Sequence, residues 1–560
     1  MTRLIDPRVT PYPAERVKRY LATGLWDERP TAERFHDIAS QHGDRTAVID
    51  QHGSISYRQL DQSSDAVAAA ILGQGIRPGD PVLFQVGNSI TTVIAWYAVL
   101  KAGALPVATL AGHRAHEISH VAKLVGAVGH IVDDSAGRFD MVEFAQDQAR
   151  GSSTLAHIFT VGSERAGEHS GVLRIEDLVV NDEPDVARDT VRRVQAELDP
   201  RDVAVYQLSG GTTGVPKVIP RLHGEYWNNG RAWALALERD EESVTCHAGP
   251  IVHNAGVTCG LHGTHSVGGA LVLPPPDKTI AMRMMSDHHV DDTIFGHGMF
   301  SWIMSDDYPQ VAEHLRTAIL TGAKIPEDVF ARVEKFGARV GQTFGMGEGM
   351  FTLTPLTARR SLRDSTVGTP LTSDDEIRIL EPVGETELPD GEVGELVCRG
   401  WYTIPGYFAS PEHNAVAFTS DGFYRTGDLG RVDVHGGQRY LSIEGRIKDL
   451  INRGGEKINA EELELLLLQH PSITDAAVVA MPDQALGERV CAYLVTTGVH
   501  LTVQDMQQHL DALGVAKYKW PERIEITESL PRTQVGKIDK KLLRSDVVDK
   551  VIAAPTGLVG

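Results

Sequence analysis

The ten residues Leu208-Ser209-Gly210-Gly211-Thr212-Thr213-Gly214-Val215-Pro216-Lys217 carry the densest chemistry in the chain. Three glycines let a backbone approach a polyanion and turn its N–H groups toward it. Ser209, Thr212 and Thr213 add hydroxyl donors, and Lys217 adds a cation. Such a set suits a triphosphate. The G-x-x-x-x-G-K-[ST] spacing of a Walker loop is absent, so a different class of phosphate site is implied. The apolar run 203–207 just before the loop reads as the strand that carries it.

The loop resembles the phosphate loop of the adenylate-forming superfamily, which includes acyl-CoA synthetases, peptide-synthetase adenylation domains and firefly luciferase. Four further segments follow in that family's order. Phe344-Gly345-Met346-Gly347-Glu348-Gly349 resembles its adenine and magnesium motif, and Tyr424-Arg425-Thr426-Gly427-Asp428 its ribose motif. Gly445-Arg446-Ile447-Lys448-Asp449 resembles its hinge, and Pro531-Arg532-Thr533-Gln534-Val535-Gly536-Lys537 the loop carrying its catalytic lysine. The resemblance implies ATP and Mg²⁺ as cofactors. Ser209, Gly210, Gly211, Thr212, Thr213, Gly214 and Lys217 would cradle the phosphates. Gly322, Ala323, Phe344 and Gly345 would surround the adenine, with Phe344 stacked on it.

The implied reaction joins a carboxylate to the α-phosphate of ATP. These are two anions, so the protein must hold them together and offset their repulsion. Glu348 is the candidate Mg²⁺ ligand, since that ion prefers oxygen donors and bridging phosphates. Asp428 would accept from both ribose hydroxyls, and Arg446 would pair with nucleotide oxygens. Lys537, after the permissive Gly536, would reach the carboxylate and the α-phosphate together. Lys448 would be the hinge about which a second half-reaction is set up. In that step a pantetheine thiol attacks the acyl-adenylate through a tunnel near Gly454 and Gly455.

The segment Pro250-Ile251-Val252-His253-Asn254-Ala255-Gly256-Val257-Thr258-Cys259 bears on the acid. It is similar to stand-alone aryl-acid adenylating enzymes of siderophore pathways, which activate 2,3-dihydroxybenzoate or salicylate and carry a His-Asn pair here. The similarity extends through Gly322-Ala323-Lys324, 402–407, 412–415 and 452–457. It places His253 among the catalytic residues. His253, Asn254, Ala255, Cys259, Gly322, Thr343 and Gly347 would line the acid pocket. Asn254 offers both a donor and an acceptor, so it could read an ortho hydroxyl or an ortho amino group. Cys259 is a poor partner for a 3-hydroxyl. Three residues depart from the pattern. Ala255 replaces an aromatic residue, Thr343 adds a hydroxyl near the ring, and Gly347 replaces Ala. They favour a bulkier or more polar ortho-substituted ring, such as 3-hydroxyanthranilate, another aminobenzoate or a heteroaryl acid.

These motifs need a large scaffold. A chain of 560 residues exceeds what one core supports, so two or more domains are expected. Helix-like and strand-like runs alternate through the first two thirds: 47–50, 57–72, 81–86, 89–101 and 103–107. That pattern implies parallel sheets covered by helices. After about residue 370 short strands separated by Gly, Asp and Pro take over. The expected class is α/β. A large N-terminal domain (1–447) would hold mixed sheets flanked by helices plus a β-subdomain. A small mobile α+β domain (448–560) would carry Lys537.

Composition narrows the partners. The formal net charge of −21 argues against a nucleic-acid binder. Four scattered cysteines suggest neither disulfides nor a zinc site. The polar first 18 residues do not read as a signal peptide, and the apolar run 93–100 is far short of a membrane span of about 20 residues. A cytoplasmic enzyme without a membrane partner is expected. The 23 residues after Lys537 hold no phosphopantetheine serine motif. The acceptor is therefore expected in trans: a separate carrier protein, CoA, or an amine. A non-catalytic nucleotide-binding protein on the same fold would lack the lysine or the loop, yet Lys537, Glu348 and Asp428 are all present.

Overall fold

Short apolar runs, several followed by a helix with a side-chain cap, build two mostly parallel sheets. The run expected at 81–86 forms the strand Pro81–Gln85, buried at all five positions. Ser89 then caps the helix Ile90–Lys101, its hydroxyl accepting from the Thr92 N–H at 3.0 Å. Lys101, which ends the apolar run in the sequence, is itself buried. Its ammonium donates to the carboxylates of Asp61 and Asp65, each at 2.6 Å, because a buried charge must be paired. Both acids come from the helix Tyr57–Gly73, packed alongside.

The computed structural model describes residues 6–133, 139–162, 170–180, 183–209, 216–322, 325–382, 384–453, 456–483, 486–513, 515, 517–533 and 536–553. Their contacts divide the chain into two units: Met1–Glu376 with Cys398–Tyr424, and Ile377–Val397 with Arg425–Gly560. No described helix is long and apolar enough to cross a membrane.

The first unit holds both large sheets. One has seven strands, in the order Val172–Arg174, His157–Val161, Gly129–Asp133, Pro81–Gln85, Leu105–Val107, Val203–Leu208, Val218–Leu222. All its pairings are parallel except the last, where Val203–Leu208 meets Val218–Leu222 as a hairpin. The other has nine strands, with a parallel centre of Arg339–Met346, Thr317–Thr321, Asp292–Gly296, Val244–Cys246, Ala270–Val272 and Thr46–Asp50. In open parallel sheets ligands bind beyond the carboxyl ends of the strands. Residues 209, 247–254, 297, 322 and 343–348 all lie there.

The second unit has a four-stranded sheet (Glu376–Leu380, Val393–Arg399, Tyr424–His435, Gln438–Arg446) and a five-stranded sheet built on the hairpin Ile473–Asp483 and Gly487–Thr496. The helices Ala460–Leu467 and Val503–Ala512 pack on the second sheet around Leu463, Val478, Val490 and Met506. The change of character near residue 370 thus marks the edge of this unit. Asp428 and Arg446, placed by the sequence in a domain ending at 447, share the unit of Lys537. The physical reason is the long hairpin 424–446, whose strands pair with each other and not with the large sheets.

Arg239 and Asp292 anchor the nine-stranded sheet from below. Arg239 Nε lies 3.1 and 3.0 Å from the two carboxylate oxygens of Asp292, and both side chains are buried. Arg239→Met would leave Asp292 charged and unpaired. It should cost about 3–5 kcal/mol, read as a lowered unfolding midpoint in denaturant, with Arg239→Met/Asp292→Leu recovering most of the loss.

Candidate active site

The phosphate loop is the connection of the hairpin Val203–Leu208 to Val218–Leu222, with Leu208 opposite Val218. Its neck is closed by two bonds: Ser209 N–H to the Lys217 carbonyl at 2.9 Å, and Lys217 N–H to Ser209 Oγ at 3.0 Å. Ser209 Oγ is therefore the acceptor that closes the neck. Gly210, Gly211, Thr212, Thr213 and Gly214 lie outside the described residues, as does Ala323. Lys217 is half-buried, its ammonium 5.5 Å from the centre of the Tyr407 ring.

Glu348 sits in the tight turn between the antiparallel strands Arg339–Met346 and Met350–Leu353. Gly349 makes that turn possible. Its φ is +93°, and a Cβ there would stand 1.7 Å from the Tyr402 carbonyl oxygen. Glu348 is 8% exposed. Tyr407 donates its hydroxyl to Glu348 Oε1 at 2.6 Å, and Tyr424 meets the same phenol at 2.8 Å. Burial first, then the Glu348 charge, hold the Tyr407 phenol far above its ordinary pKa, so it remains a donor. Phe344, Met346 and Gly347 are half-buried and Gly345 is exposed, so one edge of this strand is open.

The acid segment follows the strand Val244–Cys246. A helix begins at Asn254 and widens into a π-helical stretch, Gly256–His262, before tightening again. Such wide turns recur at functional sites. Gly256 is required: a Cβ there would meet the Pro250 and Ile251 carbonyl oxygens at 2.4 and 2.5 Å. Ala255 and His253 are half-exposed in an otherwise buried run. His247, behind them, is pushed down to about 4, by burial first and then by His253, and stays neutral. Cys259 is buried and its thiol pushed up to about 12 by burial, so it is a neutral apolar wall. It shares a cluster with Trp233 and Phe351.

Asn254 joins these pieces. Its Oδ1 accepts from Arg221 at 2.8 Å and from the Tyr226 hydroxyl at 3.2 Å, while its Nδ2 donates to the Met346 carbonyl at 3.4 Å. Arg221 also donates to the Gly347 carbonyl at 3.3 Å. Gln207, at the root of the phosphate loop, donates to Tyr226 Oη at 2.9 Å and to the Val252 carbonyl at 3.0 Å. One buried network thus ties the phosphate loop, the His253–Asn254 segment and the Glu348 turn together.

The second unit gathers the remaining residues. Asp428 lies opposite Arg446 in its hairpin, and Arg446 Nε donates to Asp428 Oδ1 at 2.7 Å. Burial pushes the Asp428 carboxyl up, while Arg446, then Lys537 and Lys448, pull it back. Lys537 sits in a small turn closed by Thr533 N–H to the Lys537 carbonyl at 2.7 Å, with Gly536 at φ +80°. Although the residue as a whole is exposed, its ammonium is lowered by desolvation and then by Arg446, with Asp428 opposing. Lys448 lies in the 3-10 turn Ile447–Asp449 and is lowered to about 8, chiefly by burial.

The sequence matches the AMP-binding enzyme family over residues 35–408 and the AMP-binding enzyme C-terminal domain over 462–537. The chain belongs to the AMP-binding enzyme family. It is 37% identical over 543 residues to the salicyl-AMP ligase / salicyl-S-ArCP synthetase of Mycobacterium tuberculosis, covering 95% of this chain and 93% of that one. It is 36% identical over 549 residues to the 2,3-dihydroxybenzoate-AMP ligase of Bacillus subtilis, covering 97% and 98%. The solved apo structure of Mycobacterium smegmatis MbtA matches with a TM-score of 0.71 at 36% identity, covering 96% and 98%. This AMP-binding enzyme is therefore an adenylate-forming ligase.

Within it, two readings from the sequence change. Thr343 adds no free donor near a ring, because its hydroxyl donates to the Thr352 carbonyl across the strand pair at 2.5 Å. Asn254 does not offer its acceptor, because Arg221 and Tyr226 fill it. Arg221, Tyr226, Gln207 and Phe351 carry no motif signal, and only the Arg221–Glu225 spacing of four hints at an ion pair; Tyr407 closes the matching segment 402–407. Gly322 is exposed with φ +101° at the end of the strand Thr317–Thr321, in keeping with a ligand-facing backbone.

Gly349→Ala should move the Glu348 turn off Tyr402. Steady-state assay of adenylation should show kcat/KM for ATP falling by about tenfold or more, with a lowered melting temperature, as expected of a residue strained at positive φ.

Proposed function

We propose that this AMP-binding enzyme activates an ortho-substituted aryl acid of the salicylate, 2,3-dihydroxybenzoate or 3-hydroxyanthranilate type. A carboxylate oxygen attacks the α-phosphorus of ATP, the bond to pyrophosphate breaks, and an aryl-adenylate forms. A pantetheine thiolate then attacks the acyl carbon and AMP leaves. The observation that carries this reading is the buried Gln207–Tyr226–Asn254–Arg221–Gly347 network, which fixes the acid segment beside the phosphate loop and the Glu348 turn. The relatives named for salicylate and 2,3-dihydroxybenzoate support the acid class. The relative named for a salicyl-S-ArCP product supports a separate carrier protein as acceptor, and CoA presents the same pantetheine.

The residues fit a nucleotide-bound Mg²⁺. Among the described residues no group of three or more His, Cys, Asp or Glu side chains comes together. One carboxylate, Glu348, would hold the ion with phosphate oxygens as its other ligands, the usual arrangement for this ion. When bound it supplies charge neutralisation between the phosphates. Tyr407 orients the Glu348 carboxylate, Lys217 faces the phosphates, and Lys537 brings a cation to the carboxylate–phosphate pair. Asp428 and Arg446 bind the ribose side. His253, at the mouth of the acid segment, orients the carboxylate. Residues 1–447 and 448–560 move as two parts about Lys448, one closure for each half-reaction.

Two measurements test this. ATP–pyrophosphate exchange over a panel of aryl, fatty and amino acids should be fastest with an ortho-substituted aryl acid, and faster exchange with a fatty or amino acid sinks the reading. Lys537→Ala should slow adenylation by about 100-fold or more while thioester formation from supplied aryl-adenylate persists. Equal loss of both steps would refute the assigned role.

A further inference from the structure

Lys537 is carried on a short loop, and a loop aims a side chain only as well as its two ends are held. The first end is tied to the five-stranded sheet. Arg532 pairs with Asp475 on the strand Ile473–Asp483 and donates to the Gly536 carbonyl at 3.0 Å. The Asp539 N–H then closes the loop onto the Pro531 carbonyl at 2.7 Å. The second end runs directly into the helix Lys540–Ala553, so a slide or rotation of that helix carries Lys537 with it.

Packing and charge hold the helix in different ways. Leu543 and Val547 bury against Ala477, Val479, Cys491 and Tyr493, but apolar contact has no direction and does not fix a rotation. Ion pairs do. Lys540 is a cation in the first turn, where the helix dipole opposes it. Glu464 holds it there at 2.6 Å with an oxygen that also accepts the Val478 N–H at 2.6 Å. Four residues on, Arg544 pairs with Asp449, 95 positions away in the turn Ile447–Asp449. Burial first and Arg446 next lower the Lys448 ammonium, Asp449 opposes them and Arg544 adds to them, so this pair lies close to Lys448.

We propose that Arg544 and Asp449 are positioning residues for adenylation: their ion pair clamps the helix behind Lys537 to the turn that ends the Asp428–Arg446 hairpin. This rests on the reading that Lys537 brings a cation to the carboxylate–phosphate pair. Asp428 and Arg446 belong to the four-stranded sheet, while Lys537 is hung from the five-stranded one. Their spacing is therefore set by links outside both sheets. Asn459 makes a neutral link to the Glu444 carbonyl. Arg544 adds a charged one one turn behind Lys540, and charge-assisted bonds are the stronger and more directional kind.

The test separates the half-reactions in the full chain. ATP–pyrophosphate exchange with 2-hydroxybenzoate reads adenylation, and thioester formation from supplied 2-hydroxybenzoyl-adenylate and pantetheine reads the second step. Arg544→Gln and Asp449→Asn should each lower kcat for exchange by about tenfold or more, because a displaced catalytic group costs rate rather than binding. KM for ATP should stay near the wild-type value, and thioester formation should persist. The double variant Arg544→Gln/Asp449→Asn should be no slower than either single one, since the two act as a unit. It also strands neither charge, so it carries the test if a single variant fails to fold. Exchange that stays fast, equal loss of both half-reactions, or losses that multiply in the double variant overturn the clamp. Lys537→Ala, assayed alongside, separates the two claims. Slow exchange there with fast exchange in Arg544→Gln removes the clamp alone, and fast exchange in Lys537→Ala removes the reading beneath it.

Discussion

A guanidinium with no contact to water holds this site together. Burying Arg221 is unfavourable unless its donors are all met, and they are met by groups from three separate segments: Glu225 and Asn229 on one helix, Asn254 on the next, and the Gly347 carbonyl on a strand turn. Each of those groups is constrained in return. Burial first and the Glu225 charge second set its protonation, and the net effect keeps Arg221 charged. Movement of any one segment would strand a buried charge, which costs far more than a surface contact. The segment carrying Asn254 and the Glu348 turn therefore hold a common register.

The same logic explains the π-helical stretch. An ordinary α-helix from Asn254 would close each N–H onto the carbonyl four residues back. Here Thr258 Oγ1 bonds the Asn254 carbonyl at 2.6 Å, and Arg239 reaches the Cys259 carbonyl at 2.6 Å. Side chains thus take acceptors that the helix would use, and the backbone widens. The stretch is possible because Gly256, Gly260 and Gly263 lie where a Cβ would run into backbone or His247. Cys259 and Phe351 are left in one wall of a dry cluster, and Ala255 on the accessible side.

Much of this was legible in the sequence, and the limits have physical causes. The strands at 81–86 and 203–207 and the helices from 57 and 89 follow from local periodicity and a serine cap. The five motifs announce themselves because each is contiguous. What escapes is built from residues far apart: Arg221 and Gly347 are 126 positions apart, and Tyr407 and Glu348 are 59. Neither pairing leaves a local pattern. Thr343 reads in the sequence as adding a hydroxyl near the ring, but that hydroxyl donates to the Thr352 carbonyl on the neighbouring strand, and cross-strand register is not written in one strand.

The second unit shows a different use of charge. Asp428, Arg446, Lys448 and Lys537 sit in a desolvated setting, where Asp449 and Glu461 act as further carboxylates on the two lysines and Arg544 as a further cation on Lys448. Desolvation disfavours the lysine cations first, and the Arg446 charge adds to that, which is why Lys448 and Lys537 both fall below the ordinary lysine value. Arg221 in the first unit answers to the single buried carboxylate of Glu225 beside it, whereas the lysines of the second unit answer to carboxylates drawn from three separate segments, Asp428, Asp449 and Glu461.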